Sequence, residues 1–305
     1  GQAFHAAFAP QFATPPSPSG PGAPVAEGGN RSRDPGRRLR VGYLGADFRD
    51  HAQAFFLAPL LDHHDRRVVE VHVFDTGAKP DPVTARLRRP ADHWHDAARD
   101  TDDALAARVR AAGIDVLVDL TLHMAGGRPL VVARAPAPVR VAYLAYPATT
   151  GLSCYTHRLV DPNTEPPGAP TAERPLVLPR TFWCYDPLED VHGATTVGPS
   201  PAATRRGVTF VALNAFSKLT PEALTAWAEV LGRVEGSKLL MLAPEGSGRR
   251  RVLDAMARAG VSADRVEFTA ALPRGAYLGL YARADLALDT WPVGGHTTTL
   301  DALWM

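Results

Sequence analysis

Residues 288–304 read LDTWPVGGHTTTLDALW, an order of residue types that can hold a phosphate. The run reads as a strand end, a loop carrying Gly294 and Gly295, and a helix start. At such a junction free backbone N–H groups and the positive end of the helix dipole face whatever the loop holds. Thr297, Thr298 and Thr299 add hydroxyl donors, and His296 adds a proton donor or a cation. Asp301 follows Thr297 by four residues, so on a helix it shares that face and offers a carboxylate to sugar hydroxyls beside bound phosphates. Phosphate together with ribose means a nucleotide. A capped loop with no ligand is the plainer reading of the same string.

A lysine ends a second apolar run. Residues 208–213 lead into Asn214-Ala215-Phe216-Ser217-Lys218. A lysine at such an edge can neutralise a diphosphate and stabilise it as a leaving group, or it can be an ordinary solvated lysine. His51 closes the segment GADFRDH at 45–51, directly after the first strand-like run. There it can act as a general base or hydrogen-bond a sugar, or be a surface histidine, one of eleven in the chain. Residues 119–128 (DLTLHMAGGR) and 144–151 (LAYPATTG) also close strand-like runs with polar groups and glycines. Their His123, Tyr146 and Pro147 can line an acceptor or sugar pocket, or belong to plain turns.

The elements that must position these groups alternate between the two periodicities. Residues 40–45 and 68–74 are β-branched and aromatic runs on either side of a helix expected over 52–61. Residues 101–112 predict a helix: Thr101 caps it, Asp102 and Asp103 complement its dipole, Leu105 and Val109 share a face, and Gly113 ends it. Strands at 114–120 and 139–144 follow. After Pro199 the alternation restarts with strands at 208–213, 238–242, 266–268 and 285–288. Helices at 220–234, 249–259 and 276–282 lie between them, the first capped by Thr220 with Pro221 at its opening position. Strands alternating with helices predict an α/β fold of two doubly wound, Rossmann-like parallel sheets, facing a cleft and joined through an irregular stretch at 162–199. The expected domains are 1–37, a remnant helix at 1–13 with a Pro/Gly-rich linker; 38–198, the first lobe; and 199–305, the second. The second lobe is expected to be incomplete.

Composition narrows the partners. In 305 residues, 33 Lys and Arg against 32 Asp and Glu give a net charge of +1, so neither nucleic acid nor an acidic membrane is indicated as the main partner. No apolar run is long enough to span a bilayer, and residues 1–13 lack the pattern of a signal peptide. Two cysteines, Cys154 and Cys184, form no disulfide framework or metal motif and fit a reducing cytoplasm. The pairs His63-His64 and His93-Trp94-His95 stand too isolated from carboxylates or cysteines to argue for a metal, so none is expected. No P-loop or GxGxxG follows the first strand, which speaks against an NTPase or a dehydrogenase.

The blocks RVGYLGADFRDH, IDVLVDLTLHMAGGRP, APAPVRVAYLAYPATTG, LNAFSK and ADLALDTWPVGGHTTTLDALW occur in that order over residues 40–304. Together they resemble the catalytic region of the O-linked N-acetylglucosamine transferase and SPINDLY family, GT-B glycosyltransferases that follow tetratricopeptide repeats. The resemblance implies that Lys218 contacts the donor diphosphate, that His296, Thr297 and Thr298 hold phosphate oxygens, and that Asp301 binds ribose. It implies further nucleotide-sugar contacts at Asn214 and Leu272, the latter through its backbone to the base. It places His51 beside the donor sugar and acceptor hydroxyl. Arg274 stands where the animal enzyme has a lysine, and Tyr277 where it has a base-stacking histidine; a tyrosine can still stack. The activity implied is inverting, metal-independent transfer of N-acetylglucosamine from UDP-N-acetylglucosamine, a substrate rather than a cofactor, to Ser or Thr of a protein. GDP-fucose as donor, as in the plant SPINDLY branch, and a non-catalytic binding module are the alternatives. The family's sequence continues past LDALW, and its repeats lie upstream of this region.

Overall fold

The computed structural model describes residues 36–165, 168, 170–193, 195–203 and 207–305. The expected helix at 1–13, and all but the last residues of the linker after it, lie outside these. The chain divides into two compact units, one ending at Asp186 and one spanning Pro187–Met305.

In the first unit, strands β1 (Leu39–Gly45), β2 (Val69–Asp75), β3 (His93–Asp96), β4 (Val116–Asp119), β5 (Val139–Ala142), β6 (His157–Val160) and β7 (Arg174–Val177) form one sheet in the order β3-β2-β1-β4-β5-β6-β7. Every pairing is parallel. Parallel neighbours need a crossover, and helices α1 (Ala54–Asp62), α2 (Pro82–Arg88), α3 (Asp102–Ala111) and α4 (Pro129–Ala133) supply the first four. The order reverses between β1 and β4, so the loops leaving those two strands flank the switch point, where open α/β sheets take ligands. Leu44, Phe74, Leu105, Val109, Ile114 and Leu117 are buried together between sheet and helices. Each such side chain contributes about 1.5–3 kcal/mol by leaving water.

Capping behaves as read. Thr101 accepts from the Ala104 amide at 3.2 Å, and Gly113, at φ +65°, turns the chain out of α3 in the left-handed region. Several elements depart from the sequence reading. Residues 93–96 are an edge strand, residues 82–88 are a helix, residues 129–133 and 157–160 form α4 and β6, and the stretch at 162–199 contains β7 and the short helix α5 (Glu189–His192). The first is four residues long with Trp94 its one apolar residue, so it carries no apolar run to read. The second shows its signals plainly: Pro82 opens α2, and Asp81 and Thr84 bond reciprocally as a capping box.

The second unit repeats the plan on four strands, β8 (Thr209–Ala212), β9 (Lys238–Leu242), β10 (Val266–Thr269) and β11 (Leu286–Ala287), all parallel in the order β10-β9-β8-β11. Helices α6 (Pro221–Arg233), α7 (Ser247–Arg258) and α8 (Arg274–Gly279) connect them, and α9 (Thr297–Trp304) follows β11. Phe210, Leu224, Trp227, Leu231, Leu239 and Met256 centre the main core. The reversal falls between β8 and β11, so the loops leaving these strands flank this switch point.

At the end of β4 the Asp119 carboxylate is buried and accepts from the Thr121 amide at 3.0 Å, the Leu122 amide at 3.2 Å and the Tyr155 hydroxyl at 2.6 Å. Removing the phenol leaves a buried acceptor short of a donor, which costs about 1–3 kcal/mol. Tyr155→Phe is therefore expected to lower the free energy of unfolding by that amount, read as a lower urea midpoint at an unchanged m-value; an unaltered midpoint would show that the two amides suffice.

Candidate functional site

The groups singled out in the second unit converge on the switch-point edge. After β8 the chain runs through Asn214 into a short turn, Phe216–Lys218; after β11 it runs through the glycine loop into α9. Lys218 Nζ donates to the Gly294 carbonyl at 2.9 Å, and Asn214 Nδ2 donates to Asp289 Oδ1 at 2.7 Å and to Thr290 Oγ1 at 3.2 Å. The Thr298 hydroxyl donates to Asn214 Oδ1. Gly295 is required here: a Cβ would collide with the Thr299 and Thr298 hydroxyls and lie 2.9 Å from Asn214 Oδ1.

Asp289 organises this loop, a role the sequence reading missed. Its Oδ1 accepts from the Thr290 amide at 2.8 Å and the Gly295 amide at 2.7 Å, and its Oδ2 from the Thr299 hydroxyl at 3.2 Å. Thr220, besides capping α6 through the Ala223 amide, donates its hydroxyl to the Trp291 carbonyl at 2.9 Å. The place of Asp289 at the carboxyl end of the last strand is the local signal that could have marked it.

No side-chain cap closes the first turn of α9, whose first residue is Thr297. His296 stands before it, and its pKa is pushed down to about 4, first by burial and then by the Lys218 ammonium. His296 is thus neutral at pH 7. It is held here as a hydrogen-bonding imidazole rather than as the cation that the sequence also allowed.

A second group lies along α8. Arg274 grips the buried Asp301 carboxylate with two bonds of 2.6 and 2.8 Å, and its guanidinium lies 5.6 Å from the centre of the Tyr277 ring. The Tyr277 and Tyr281 hydroxyls are 3.1 Å apart, and Tyr281 donates to the Thr298 carbonyl at 3.0 Å. Leu272 is exposed on the loop between β10 and α8.

The first unit's rim holds the remaining candidates. His51 follows β1, with Nδ1 accepting from the Gln53 amide at 3.3 Å and lying 3.9 Å from Asp47 Oδ2. Burial lowers its pKa more than Asp47 raises it. Thr121 Oγ1 receives the Ala46 amide at 3.1 Å, and Gln53 Nε2 donates to the Leu120 carbonyl, so the loops after β1 and β4 are tied together. His123 Nε2 is 2.9 Å from the Thr150 carbonyl, and the backbone of His123 hydrogen-bonds Tyr146, whose hydroxyl burial pushes up to about 12. Pro147 is exposed beside them. The buried Glu173, which the sequence reading did not single out, fixes this loop by accepting from the Thr149 hydroxyl at 2.7 Å and the Thr150 amide at 2.6 Å.

One expectation is corrected. His93 is not isolated from carboxylates: parallel pairing sets His93 opposite His72 and brings both rings to Glu70. A strand register between residues distant in sequence cannot be read from local spacing.

Two parallel α/β sheets, each gathering its loops at a switch point, make up the GT-B glycosyltransferase fold. A lipopolysaccharide outer core galactosyltransferase, WaaB, is similar in fold, with a TM-score of 0.56 at 11% identity over 87% of this chain and 78% of its own. The model of glycosyl transferase family 41 matches residues 27–189 and 202–305, and the chain belongs to that family. A Thermobaculum terrenum O-GlcNAc transferase mutant, K341M, is 33% identical with a TM-score of 0.85, over 99% of this chain and 56% of its own. An Arabidopsis thaliana protein named probable UDP-N-acetylglucosamine-peptide N-acetylglucosaminyltransferase SPINDLY is 34% identical over 90% of this chain and 31% of its own length. The chain thus spans about a third of the length of such curated relatives. No helix among the described residues is long and apolar enough to cross a membrane.

Two outcomes follow from this geometry. In an NMR titration His296 should show a pKa near 4, rising toward the ordinary 6.5 in Lys218→Met, because removing a nearby positive charge favours the protonated ring. The sign for stability is fixed as well. The unfolded histidine takes its proton first, so the fold loses stability as pH falls through 6.5 toward 4. For the loop, Asp289→Ala should speed hydrogen exchange at the Thr290 and Gly295 amides while leaving β8 protected; unchanged exchange at both would remove Asp289 from its organising role.

Proposed function

We propose that this chain supplies donor and acceptor groups of a protein O-glycosyltransferase that moves N-acetylglucosamine from UDP-N-acetylglucosamine to serine and threonine hydroxyls with inversion. The supporting observation is the Lys218 ammonium at the Gly294 carbonyl, beside His296 and the uncapped start of α9. As the sugar–phosphate bond breaks, negative charge grows on the departing diphosphate. An ammonium and a set of N–H and O–H donors already in place stabilise that charge without reorganising. In this reading the positive charge comes from the chain rather than from a divalent metal. The phosphate oxygens take up the Thr297 and Thr298 donors, Asp301 serves the ribose, and Tyr277 with the Leu272 backbone serves the base.

On the acceptor side, His51 is kept neutral near pH 7 by its lowered pKa. That is the form able to take a hydroxyl proton or to hydrogen-bond a sugar. His123, Tyr146 and Pro147 line the acceptor or sugar pocket on the same rim. The printed names of the relatives, which are peptide N-acetylglucosaminyltransferases, support the donor and acceptor class. The two free cysteines suit a cytoplasmic setting.

Calorimetry of this chain with UDP-N-acetylglucosamine, UDP and GDP-fucose, paired with a transfer assay on a Ser/Thr peptide, tests the reading. Lys218→Met should weaken UDP binding about 10- to 100-fold, the worth of one charge-assisted hydrogen bond. Saturable binding and transfer from GDP-fucose alone would overturn the donor assignment. Equal UDP affinity in the Lys218→Met variant would overturn the site.

A further inference from the structure

At the amino-terminal end of the first unit's strands, away from the rim that carries His51, three potential ligand atoms converge. Glu70 and His72 lie two residues apart on β2, hence on one face of the sheet, and His93 on β3 is the register partner of His72. His72 Nε2 is 3.0 Å from Glu70 Oε1, and His93 Nε2 is 3.3 Å from the same oxygen. All three ligand atoms lie within 4.8 Å of one another. A tetrahedral ion with ligands at about 2.0–2.1 Å sets them about 3.3 Å apart, so little movement separates this cluster from a coordination shell.

We propose that Glu70, His72 and His93 form a binding site for a borderline transition-metal ion of the Zn²⁺ type, with the fourth position open to solvent. Two further features support a ligand set over a chance cluster. His72 is buried and its other nitrogen, Nδ1, lies 3.3 Å from His95 Nε2, so a metallated His72 carries its proton on Nδ1 and donates it to His95. That is the outer hydrogen bond that orients metal-bound imidazoles. The His93 side chain is 51% exposed, which leaves an entry path and the open position. The Arg38 and Arg40 guanidiniums also reach Glu70, at 3.3 and 3.4 Å. Their charge disfavours hard cations held by oxygen alone and leaves ions that gain from two imidazole nitrogens. Bound there, the ion staples the edge strand β3 to β2.

The test is titration of this chain with Zn²⁺ by calorimetry and with Co²⁺ by visible absorption. One saturable equivalent and the absorption of tetrahedral Co²⁺ are expected. Both should be lost in His93→Ala and Glu70→Gln and retained in His63→Ala, which removes a histidine outside the cluster. His95→Phe should weaken Zn²⁺ about 10- to 100-fold, as loss of an outer-shell partner does. His93 is half exposed, so its variant should fold, and an unchanged circular dichroism spectrum checks this. Absence of a saturable equivalent, or the same uptake in folded His93→Ala, overturns the site.

Discussion

Two residues of parallel pairing, Leu286 with Phe210 and Ala287 with Val211, set the geometry of the second unit's site. In a parallel pair both carboxyl ends leave the sheet on the same side, so the loop bearing Lys218 and the loop bearing His296 emerge together. A bond at each end extends the pair: the Asp285 amide to the Thr209 carbonyl and the Leu288 amide to the Val211 carbonyl, both at 2.8 Å. β11 is short and exposed, so its register rests on these backbone bonds and on the side chains beyond it. Asn214, reaching across to Asp289 and Thr290, is the first of those.

Within that frame an internal carboxylate organises the loop. Asp289 takes up the Thr290 and Gly295 amides, which would otherwise be left to water. The start of α9 remains uncapped. Lys218 meanwhile rests on the neutral Gly294 carbonyl. In the proposed reading a phosphate oxygen would replace that carbonyl, because it adds charge–charge attraction to the same ammonium bond, and the Asp289 bonds would stay in place. Burial first, and the same ammonium second, keep His296 neutral.

What the sequence disclosed and what it hid divide along the range of the interactions. Caps such as Thr101 and Thr220, the glycine that ends α3, and the apolar strands of both sheets are local, and they stand where they were read. So do the rim positions of His51, Lys218 and the glycine loop, because a residue at the end of a parallel strand belongs to the carboxyl edge whatever its neighbours are. The partners of those residues were not legible. Asp289 to Asn214, Glu173 to Thr150 and Arg274 to Asp301 join positions 23 to 75 residues apart, set by strand order rather than by spacing. β3 was missed for a related reason: its histidines stack across on His72 and Phe74 of β2 and its tryptophan bonds Asp96 within the strand, a stabilisation that leaves no apolar run in the sequence.

The pairing of Arg274 with Asp301 bears on how the ribose and base roles can coexist. Sequence assigned the carboxylate to sugar hydroxyls and the arginine to the neighbourhood of the base, as separate tasks. In the fold they are one buried pair, and breaking it would strand a charge at a cost of several kcal/mol. No breakage is needed. A carboxylate offers about four acceptor positions; the guanidinium takes two and the Tyr277 hydroxyl another, so in the proposed reading a ribose hydroxyl would compete with Tyr277 while Arg274 holds the group in orientation. The same guanidinium lies against the Tyr277 ring. In the proposed reading a base on Tyr277 would meet a ring already braced by the cation that orients Asp301, and the Tyr281 bond to the Thr298 carbonyl would carry that bracing to the helix start.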